Sequence, residues 1–235
     1  MPEFFKKSPE HVQFSELREL RIPSLRGVLI TQRDYKKYDD FLDIESEEAK
    51  GKRVLNIGSG RKGKFEDKMQ QKGASVFTIT PAFNAADTTG QSMRLRYYPK
   101  GWKKTALRQA GKVMKSMRGK EWADQPKPVA AFAEDLPFRD QSFDLITALY
   151  SVPLYTEKYE QEYRDLFSGI ARVLKSEGTA KLFPIAEKEK GAIEQILRED
   201  KEISFDFKEI EEDKEDRASY REENQKTYRL TIRKN

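Results

Sequence analysis

Along this chain, short runs of mostly apolar residues alternate with longer segments in which apolar residues recur at helical spacing. Residues 53–58, RVLNIG, are apolar nearly throughout, as expected of a strand that a parallel sheet buries on both faces. Four more strands are predicted at 74–80, 128–133, 142–150 and 178–186. Helices are predicted at 64–73 and 157–175, where apolar residues recur at helical spacing. This order of elements predicts a doubly wound, mostly parallel α/β sheet.

The two ends of the chain add further elements. Near the carboxyl end, residues 203–210 and 227–234 alternate in polarity and predict an antiparallel pair at the sheet edge, which brings the sheet to seven strands. Near the amino end, the pattern predicts a helix over 32–42 with one apolar face. We therefore divide the chain into an N-terminal arm with a helix at 1–50 and one α/β domain at 51–235.

Composition narrows the chemistry that this domain can carry. Of the 235 residues, 37% are hydrophobic and 36% are charged, which is enough for one core with a heavily solvated surface. The absence of cysteine excludes disulfides, thiolate metal sites, cysteine nucleophiles and iron–sulfur chemistry. The single histidine, His11, lies in the arm, so we predict no metal site and no histidine base. Neither a transmembrane-length apolar run nor a signal peptide is present, and we expect a cytoplasmic protein.

The formal net charge of +5 is concentrated in one segment of the chain. Residues 83–130 contain eleven Lys or Arg against three Asp or Glu. We interpret 83–128 as a basic insertion between the second and third strands, acting as a lid or as a recognition element.

The central part of this insertion, residues 94–120, interleaves basic and aromatic side chains. That combination is typical of surfaces that contact phosphates and stack on bases, so RNA is one candidate partner. The residues that we expect to contact RNA are Lys103, Lys104 and Arg108. The same segment also fits an amphipathic helix that closes over a site, docks on a protein or lies on a membrane surface.

A glycine-rich turn follows the first predicted strand. Gly58, Gly60 and Gly63 match the GxGxxG fingerprint of dinucleotide-binding proteins, in which missing side chains let the backbone approach a pyrophosphate. The fingerprint also requires an acidic residue at the end of the second strand to bind a ribose hydroxyl. That position is Thr80, followed by Pro81. A nicotinamide dinucleotide is therefore supported by the glycines alone.

Two blocks later in the chain extend the pattern. They are AEDLPFRDQSFDLITALY at 133–150 and ARVLKSEGTAKLF at 171–183. With the glycine turn in front of them, in this order and at these distances, the sequence resembles the class I S-adenosylmethionine-dependent methyltransferases over about residues 50–185. The resemblance implies a Rossmann-like sheet, a methyl-transfer reaction and S-adenosylmethionine (SAM) as the cofactor.

The resemblance also implies a site at the carboxyl ends of the first four strands. The glycine turn would approach the methionine portion of SAM, the second strand its ribose, the LPF block its adenine and the fourth strand its sulfonium. The implied cofactor-binding residues are Asn56, Gly58, Ser59, Gly60, Thr80, Ala133, Glu134 and Leu149. On the substrate side it implies Tyr150, and also Tyr155 in the loop SVPLY, which is similar to the substrate loop of amino-group methyltransferases. An ordinary loop in which Pro153 ends the strand explains this stretch better.

Three positions depart from the family in one chemical direction. Asn56, Thr80 and Phe132 stand where the family usually has acidic residues. Charge-assisted hydrogen bonds from carboxylates are worth about 1.5–3 kcal/mol each, and SAM carries two cationic groups and two ribose hydroxyls. Beside the nicotinamide-dependent enzyme that only the glycines support, two hypotheses therefore stay open. One is a methyltransferase with an atypical site, acting on a small molecule or RNA, and the other is a non-catalytic protein of the same fold that binds RNA, a ribonucleoprotein or a protein through its basic insertion.

Overall fold

The computed structural model describes residues 35–44, 49–58, 64–79, 131, 133–154, 160–211 and 225–235. The helices are α1 (Tyr35–Leu42), α2 (Lys64–Gln71), α3 (Glu160–Val173) and α4 (Glu187–Leu197). The strands are β1 (Arg53–Ile57), β2 (Ser75–Ile79), β3 (Phe143–Leu149), β4 (Leu174–Ala186), β5 (Ile203–Glu209) and β6 (Thr227–Lys234).

These six strands form one sheet in the order β2-β1-β3-β4-β6-β5. Neighbours among β2, β1, β3 and β4 are parallel, whereas β6 is antiparallel to both β4 and β5. The predicted mostly parallel sheet with an antiparallel edge pair is confirmed. The predicted third strand, 128–133, lies mostly outside the described residues, and its two described members, Ala131 and Ala133, are buried without belonging to a strand.

Helices cover both faces of the sheet, as the doubly wound prediction requires. On one face, Phe41 of α1 and Phe65 of α2 share a buried cluster with Val54 of β1. On the other face, Ile170 of α3 belongs to a second cluster that includes Leu55 of β1. The adjacent β1 residues Val54 and Leu55 enter opposite clusters because successive strand side chains point to opposite faces.

The sequence pattern did not predict α4, although Ile193 and Leu197 are four residues apart and both are buried. The segment begins with four charged residues and carries Gly191, which disfavours a helix interior. Burial of the apolar side on the sheet overrides that weak propensity. Glu189 also ties the helix start down, because its Oε1 accepts a hydrogen bond of 2.8 Å from the Tyr163 hydroxyl and its Oε2 one of 3.2 Å from the Ala186 N–H.

Strand β4 begins earlier than the predicted start at Gly178, directly after α3. Its pairing with β3 shifts register between Phe143 and Leu145, and Glu177 has φ of +64°. A Cβ at Gly178 would lie 2.8 Å from the Lys175 carbonyl oxygen, so only glycine fits there. The predicted turn is therefore an irregularity inside a longer strand.

Some predicted elements lie outside the described part of the chain. These are residues 1–34 of the arm and the whole basic insertion, 83–128. Of the helix predicted over 32–42, Tyr35–Leu42 is helical. Among the helices that the structure describes, none is long and apolar enough to cross a membrane. In the same residues, no cluster of three or more potential metal ligands occurs.

Asp144, from the SFD block, joins the starting ends of three strands. Its Oδ2 accepts a hydrogen bond of 2.7 Å from the Arg53 N–H, and Lys175 Nζ donates to both carboxylate oxygens at 2.8 and 2.9 Å. Burial by itself would raise the pKa of the Asp144 carboxyl, but the hydrogen bonds from Lys175 and Arg53 outweigh it and lower the pKa. The ionised carboxylate therefore stabilises the fold at neutral pH, and this contribution is lost as pH falls through the lowered pKa.

We predict that Asp144→Asn lowers the free energy of unfolding by about 1 kcal/mol at neutral pH, a modest figure because the pair is partly exposed. In urea titrations the difference from wild type should shrink as pH falls below about 4, the ordinary pKa of aspartate. As a control, Asp140→Asn removes a carboxylate that is 73% exposed and paired with Arg172, and it should change stability less. A difference that is independent of pH contradicts the assignment.

Candidate functional site

The carboxyl ends of β1 and β3 form the switch point of the sheet. From β1 the chain first forms β2 on one side and later returns to form β3 on the other side. In open α/β sheets, ligands bind in the crevice outside the strand ends where the connections diverge in this way. The residues at these ends are Gly58, after β1, and Tyr150 to Leu154, after β3.

Gly58 joins the ends of three strands. Its N–H donates a hydrogen bond of 2.9 Å to the carbonyl oxygen of Ile79, the last residue of β2. From the other side, Ser151 Oγ donates one of 2.6 Å to the carbonyl oxygen of Ile57. Gly58 has φ of +80°, and a Cβ there would lie 2.4 Å from the Ser151 Cβ. The position therefore accepts glycine alone, on grounds of both backbone conformation and space.

The end of β3 is held in an uncommon backbone conformation. Tyr150 has φ of +52°, and its N–H donates a hydrogen bond of 2.7 Å to the Phe183 carbonyl oxygen. Its ring packs edge-on against Phe41 and Phe183, with centroids 5.8 and 5.5 Å away. Leu149 is fully buried beside it. Positive φ at a bulky residue is strained and persists only where the surroundings impose it.

A layer of buried polar side chains lies directly beneath the Gly58 junction. Asn56, with no exposed surface, donates from Nδ2 to Glu66 Oε1 at 2.6 Å and to the Tyr38 hydroxyl at 3.1 Å. Its Oδ1 accepts a hydrogen bond of 3.0 Å from Thr147 Oγ1. Glu66 Oε1 also accepts one of 3.2 Å from Thr78 Oγ1. The layer thus connects β2, β1 and β3 with α1 and α2.

Glu66 is the acidic member of this layer, and only 8% of its surface is exposed. Burial raises the pKa of its carboxyl above the usual value, and the nearby Asp67 adds to the shift. Hydrogen bonds from Asn56, the Glu66 main chain and Thr78 act in the opposite direction without cancelling it. The buried acidic side chain is therefore Glu66 on α2, hydrogen-bonded to Asn56 of β1.

Arg172 brings together two of the sequence blocks that carry the resemblance. From α3, its Nη2 donates 2.8 Å to the Leu136 carbonyl oxygen and its Nη1 donates 2.7 Å to the Phe138 carbonyl oxygen. A Cβ on Gly169, one turn earlier in α3, would lie 3.7 Å from the Ala133 carbonyl oxygen. The Arg172 side chain of the ARVLK block therefore holds the LPF segment against α3 through the main-chain carbonyl oxygens of that segment.

The structure places the described site residues in two groups. Asn56 and Gly58 lie together at the end of β1, with Leu149 and Tyr150 at the end of the adjacent β3. Ala133 is buried and Glu134 is half-buried, both in the segment on the α3 face. The remaining predicted site residues lie outside the described part of the chain. They are Ser59, Gly60, Thr80, Tyr155, Lys103, Lys104 and Arg108.

Sequence reasoning missed the polar layer and the serine at the junction. Glu66 carried a signal, because it follows Phe65 on the side of α2 that faces the core. Ser151 opens the loop SVPLY that the sequence analysis singled out, but nothing in the sequence indicated its contact with Ile57, which lies 94 residues away. Tyr38 is 2% exposed and stacks on Phe65 at 4.0 Å between ring centroids, which places it in the core.

Comparison with known families agrees with this geometry. The model of a methyltransferase domain matches residues 55–182, which is more than half of the chain. The chain belongs to this methyltransferase family. The match includes the Gly58 junction and the Arg172 contacts. No curated protein is significantly similar in sequence.

Several solved structures resemble this methyltransferase-family protein at low identity. TrmN from Thermus thermophilus is 16% identical, with a TM-score of 0.49, and the match covers 93% of this chain and 53% of that one. The N-methyltransferase NodS from Bradyrhizobium japonicum WM9 is 14% identical, with a TM-score of 0.49 and coverages of 85% and 94%. The 1,6-didemethyltoxoflavin-N1-methyltransferase from Burkholderia thailandensis, solved with S-adenosylhomocysteine, is 14% identical, with a TM-score of 0.41 and coverages of 85% and 80%. This chain therefore spans about half of the Thermus thermophilus protein, and the likeness in each case concerns the fold alone.

We predict that Gly58→Ala destabilises the protein by about 2 kcal/mol or more, because it adds a clash with Ser151 to the strain of positive φ. Gly51→Ala is the matched control: Gly51 has φ of +75°, and a Cβ there would meet nothing within 4 Å. The control should lose only about 1 kcal/mol, the backbone part alone. Urea unfolding of both variants measures the difference. Equal losses would show that the contact with Ser151 is easily relieved.

Proposed function

We propose that this protein transfers the methyl group of SAM to an acceptor, either a small molecule or RNA. The observation that carries the proposal is the Gly58 junction, where three strand ends meet at the switch point of a sheet of the methyltransferase family. A Cβ at Gly58 would meet the Ser151 side chain, so this position is packed against the protein itself, and SAM is supported by the place of the junction at the switch point. On this ground we place the methionine end of SAM outside the Gly58 junction.

In this proposal the cofactor lies across the carboxyl ends of β1, β2 and β3. The glycine turn would hold its methionine portion, Thr80 its ribose, and Ala133 with Glu134 its adenine. Asn56 and Leu149 have no exposed surface, so we assign them to the support beneath the cofactor. The proposed cofactor-binding residues are Gly58, Ser59, Gly60, Thr80, Ala133 and Glu134, with Asn56 and Leu149 in the supporting role.

The sulfonium of SAM supplies an activated methyl group, so the chain's own task is to orient the acceptor and to exclude water. The turn after β3, Ser151 to Leu154, is buried throughout and closes the end of that strand. We place the acceptor beyond this turn, with Tyr150 and Tyr155 as the proposed acceptor-side residues. Because the Tyr150 ring packs on Phe41 and Phe183, its part is to shape the strand end.

Binding of S-adenosylhomocysteine (SAH), the product of methyl transfer, tests the proposal. In calorimetry we expect SAH and SAM to bind with a Kd on the order of micromolar, and NAD to give no heat. Gly51→Ala should bind SAH as wild type does, whereas Gly58→Ala should not, because its turn is displaced. Silence with both SAM and SAH would overturn the proposal, and heat with NAD alone would replace it with a nicotinamide-dependent function.

The second candidate function is a non-catalytic protein of the same fold that binds RNA, a ribonucleoprotein or a protein partner. Two observations favour it. Asn56 stands where the family usually has an acid, and its side chain is fully buried and hydrogen-bonded to Glu66. The segment 83–130, which contains the basic insertion, has eleven Lys or Arg against three Asp or Glu. In this proposal residues 94–120 contact the partner, with Lys103, Lys104 and Arg108 against phosphates.

Charge reversal tests RNA binding by the insertion. We predict that the triple change of Lys103, Lys104 and Arg108 to Glu weakens binding to single-stranded RNA by about tenfold or more at low salt, and that wild-type binding falls steeply as salt rises. The matched control changes three exposed lysines of the described part, Lys36, Lys201 and Lys208, to Glu. Filter binding should show little change for the control. Equal retention of both triple variants would remove RNA as a partner of this segment.

A further inference from the structure

The side-chain amide of Asn56 both donates and accepts a hydrogen bond. Its Nδ2 donates to Glu66 Oε1 at 2.6 Å, and its Oδ1 accepts from Thr147 Oγ1 at 3.0 Å. Both Asn56 and Glu66 are more than nine-tenths buried. Only a group with one donor and one acceptor end satisfies both partners, and asparagine is such a group.

A carboxylate at position 56 would not serve the same partners. It accepts from Thr147 equally well, but it offers no proton to Glu66 across a distance of 2.6 Å. Two buried carboxyls at that distance cannot both be ionised and must share a proton. The acid that is usual at this strand position in the family is therefore incompatible with an ionised Glu66 behind it.

The Asn56–Glu66 pair also has a particular place along the chain. Asn56 stands two residues before Gly58, and Glu66 lies in the first turn of α2, the helix that follows the glycine turn. Their hydrogen bond therefore joins the residues on either side of the turn. Thr78 and Thr147 fix the pair to the two neighbouring strands. We expect a change in this pair to move Gly58 and the start of α2, the described residues on either side of the turn.

We propose that Asn56 and Glu66 are positioning residues that act as one amide–carboxyl unit to set the glycine turn for the cofactor, so that restoring the family's usual acid by Asn56→Asp weakens cofactor binding instead of improving it. The proposal rests on the proposed function of SAM binding. In this proposal Asn56 replaces the acid that is usual in the family, and Glu66 on α2 compensates for the replacement. The unit predicts rescue: exchanging the two groups, Asn56→Asp with Glu66→Gln, again pairs one amide with one carboxylate.

The charges around the Asn56–Glu66 pair make the effect of Asn56→Asp depend on pH. Among the described residues, the titratable group whose charge acts on Glu66 is Asp67 of its own helix. Tyr38 from α1 bonds Asn56, and β1, β2 and β3 present Asn56, Thr78 and Thr147. Asp67 adds negative charge that disfavours a second carboxylate. In Asn56→Asp the two carboxyls share a proton at low pH and repel each other once it is lost.

The experiment measures SAH affinity by calorimetry for wild type, Asn56→Asp, Glu66→Gln and the double exchange, with circular dichroism to show that each sample is folded. We expect Asn56→Asp to bind SAH about tenfold more weakly than wild type at about pH 8 and within about threefold of it at about pH 5.5. Glu66→Gln removes the carboxyl but keeps an acceptor for the amide, so it should weaken binding less than Asn56→Asp at about pH 8 and show no comparable dependence on pH. The double exchange should recover wild-type affinity at about pH 8.

Two results would contradict the proposal that Asn56 and Glu66 act as one unit. One is Asn56→Asp binding SAH as tightly as wild type at about pH 8, and the other is a double exchange no tighter than the single variant. Should Asn56→Asp fail to fold, recovery of folding by Glu66→Gln in the double exchange supports the pair, and its absence overturns it. Failure of wild type to bind SAH would instead remove the proposed function, and urea unfolding of the same four proteins would then decide the pairing by itself.

Discussion

The approach of Gly58 to Ser151 is the constraint on which the carboxyl edge of this sheet depends. A Cβ at Gly58 would lie 2.4 Å from that of Ser151, so the main chain at Gly58 packs directly against the Ser151 side chain. The Ser151 hydroxyl bonds the Ile57 carbonyl, and the Gly58 N–H bonds the Ile79 carbonyl. Three strand ends are thereby fixed relative to one another by one main-chain hydrogen bond and one hydrogen bond from the Ser151 side chain. In open α/β sheets, this edge is where ligands bind.

The polar layer under this junction explains how the edge keeps its alignment. Buried polar groups destabilise a fold unless they are hydrogen-bonded, and unpaired buried charges do so more strongly. Asn56, Thr78, Thr147 and Glu66 meet that requirement with one another, across three strands and a helix. Because each partner is on a different element, the layer stabilises one relative position of these elements. Apolar packing, which is not directional, specifies such alignment less strictly.

The blocks that carry the resemblance to the methyltransferase family turn out to be sites of contact between elements. Arg172 of the ARVLK block holds the LPF segment by two carbonyl oxygens, and Asp144 of the SFD block bonds the first residue of β1. Neither contact needs a ligand. The blocks therefore identify the fold more directly than the chemistry, and the acceptor has to be inferred from elsewhere in the chain.

The sequence by itself determined the class of fold, because long apolar runs such as RVLNIG and the helical spacing of 157–175 are local patterns that burial imposes on strands and helices. It also located Gly58, since a glycine after a buried strand is a local signal as well. It did not determine α4, whose Gly191 and charged start argue against a helix until the sheet buries its apolar side. Nor did it determine the partners of Asn56: Glu66 and Thr147 are 10 and 91 residues away in the chain. Only the tertiary structure decided those contacts, because pairing across strands leaves no periodic trace in the residues that take part.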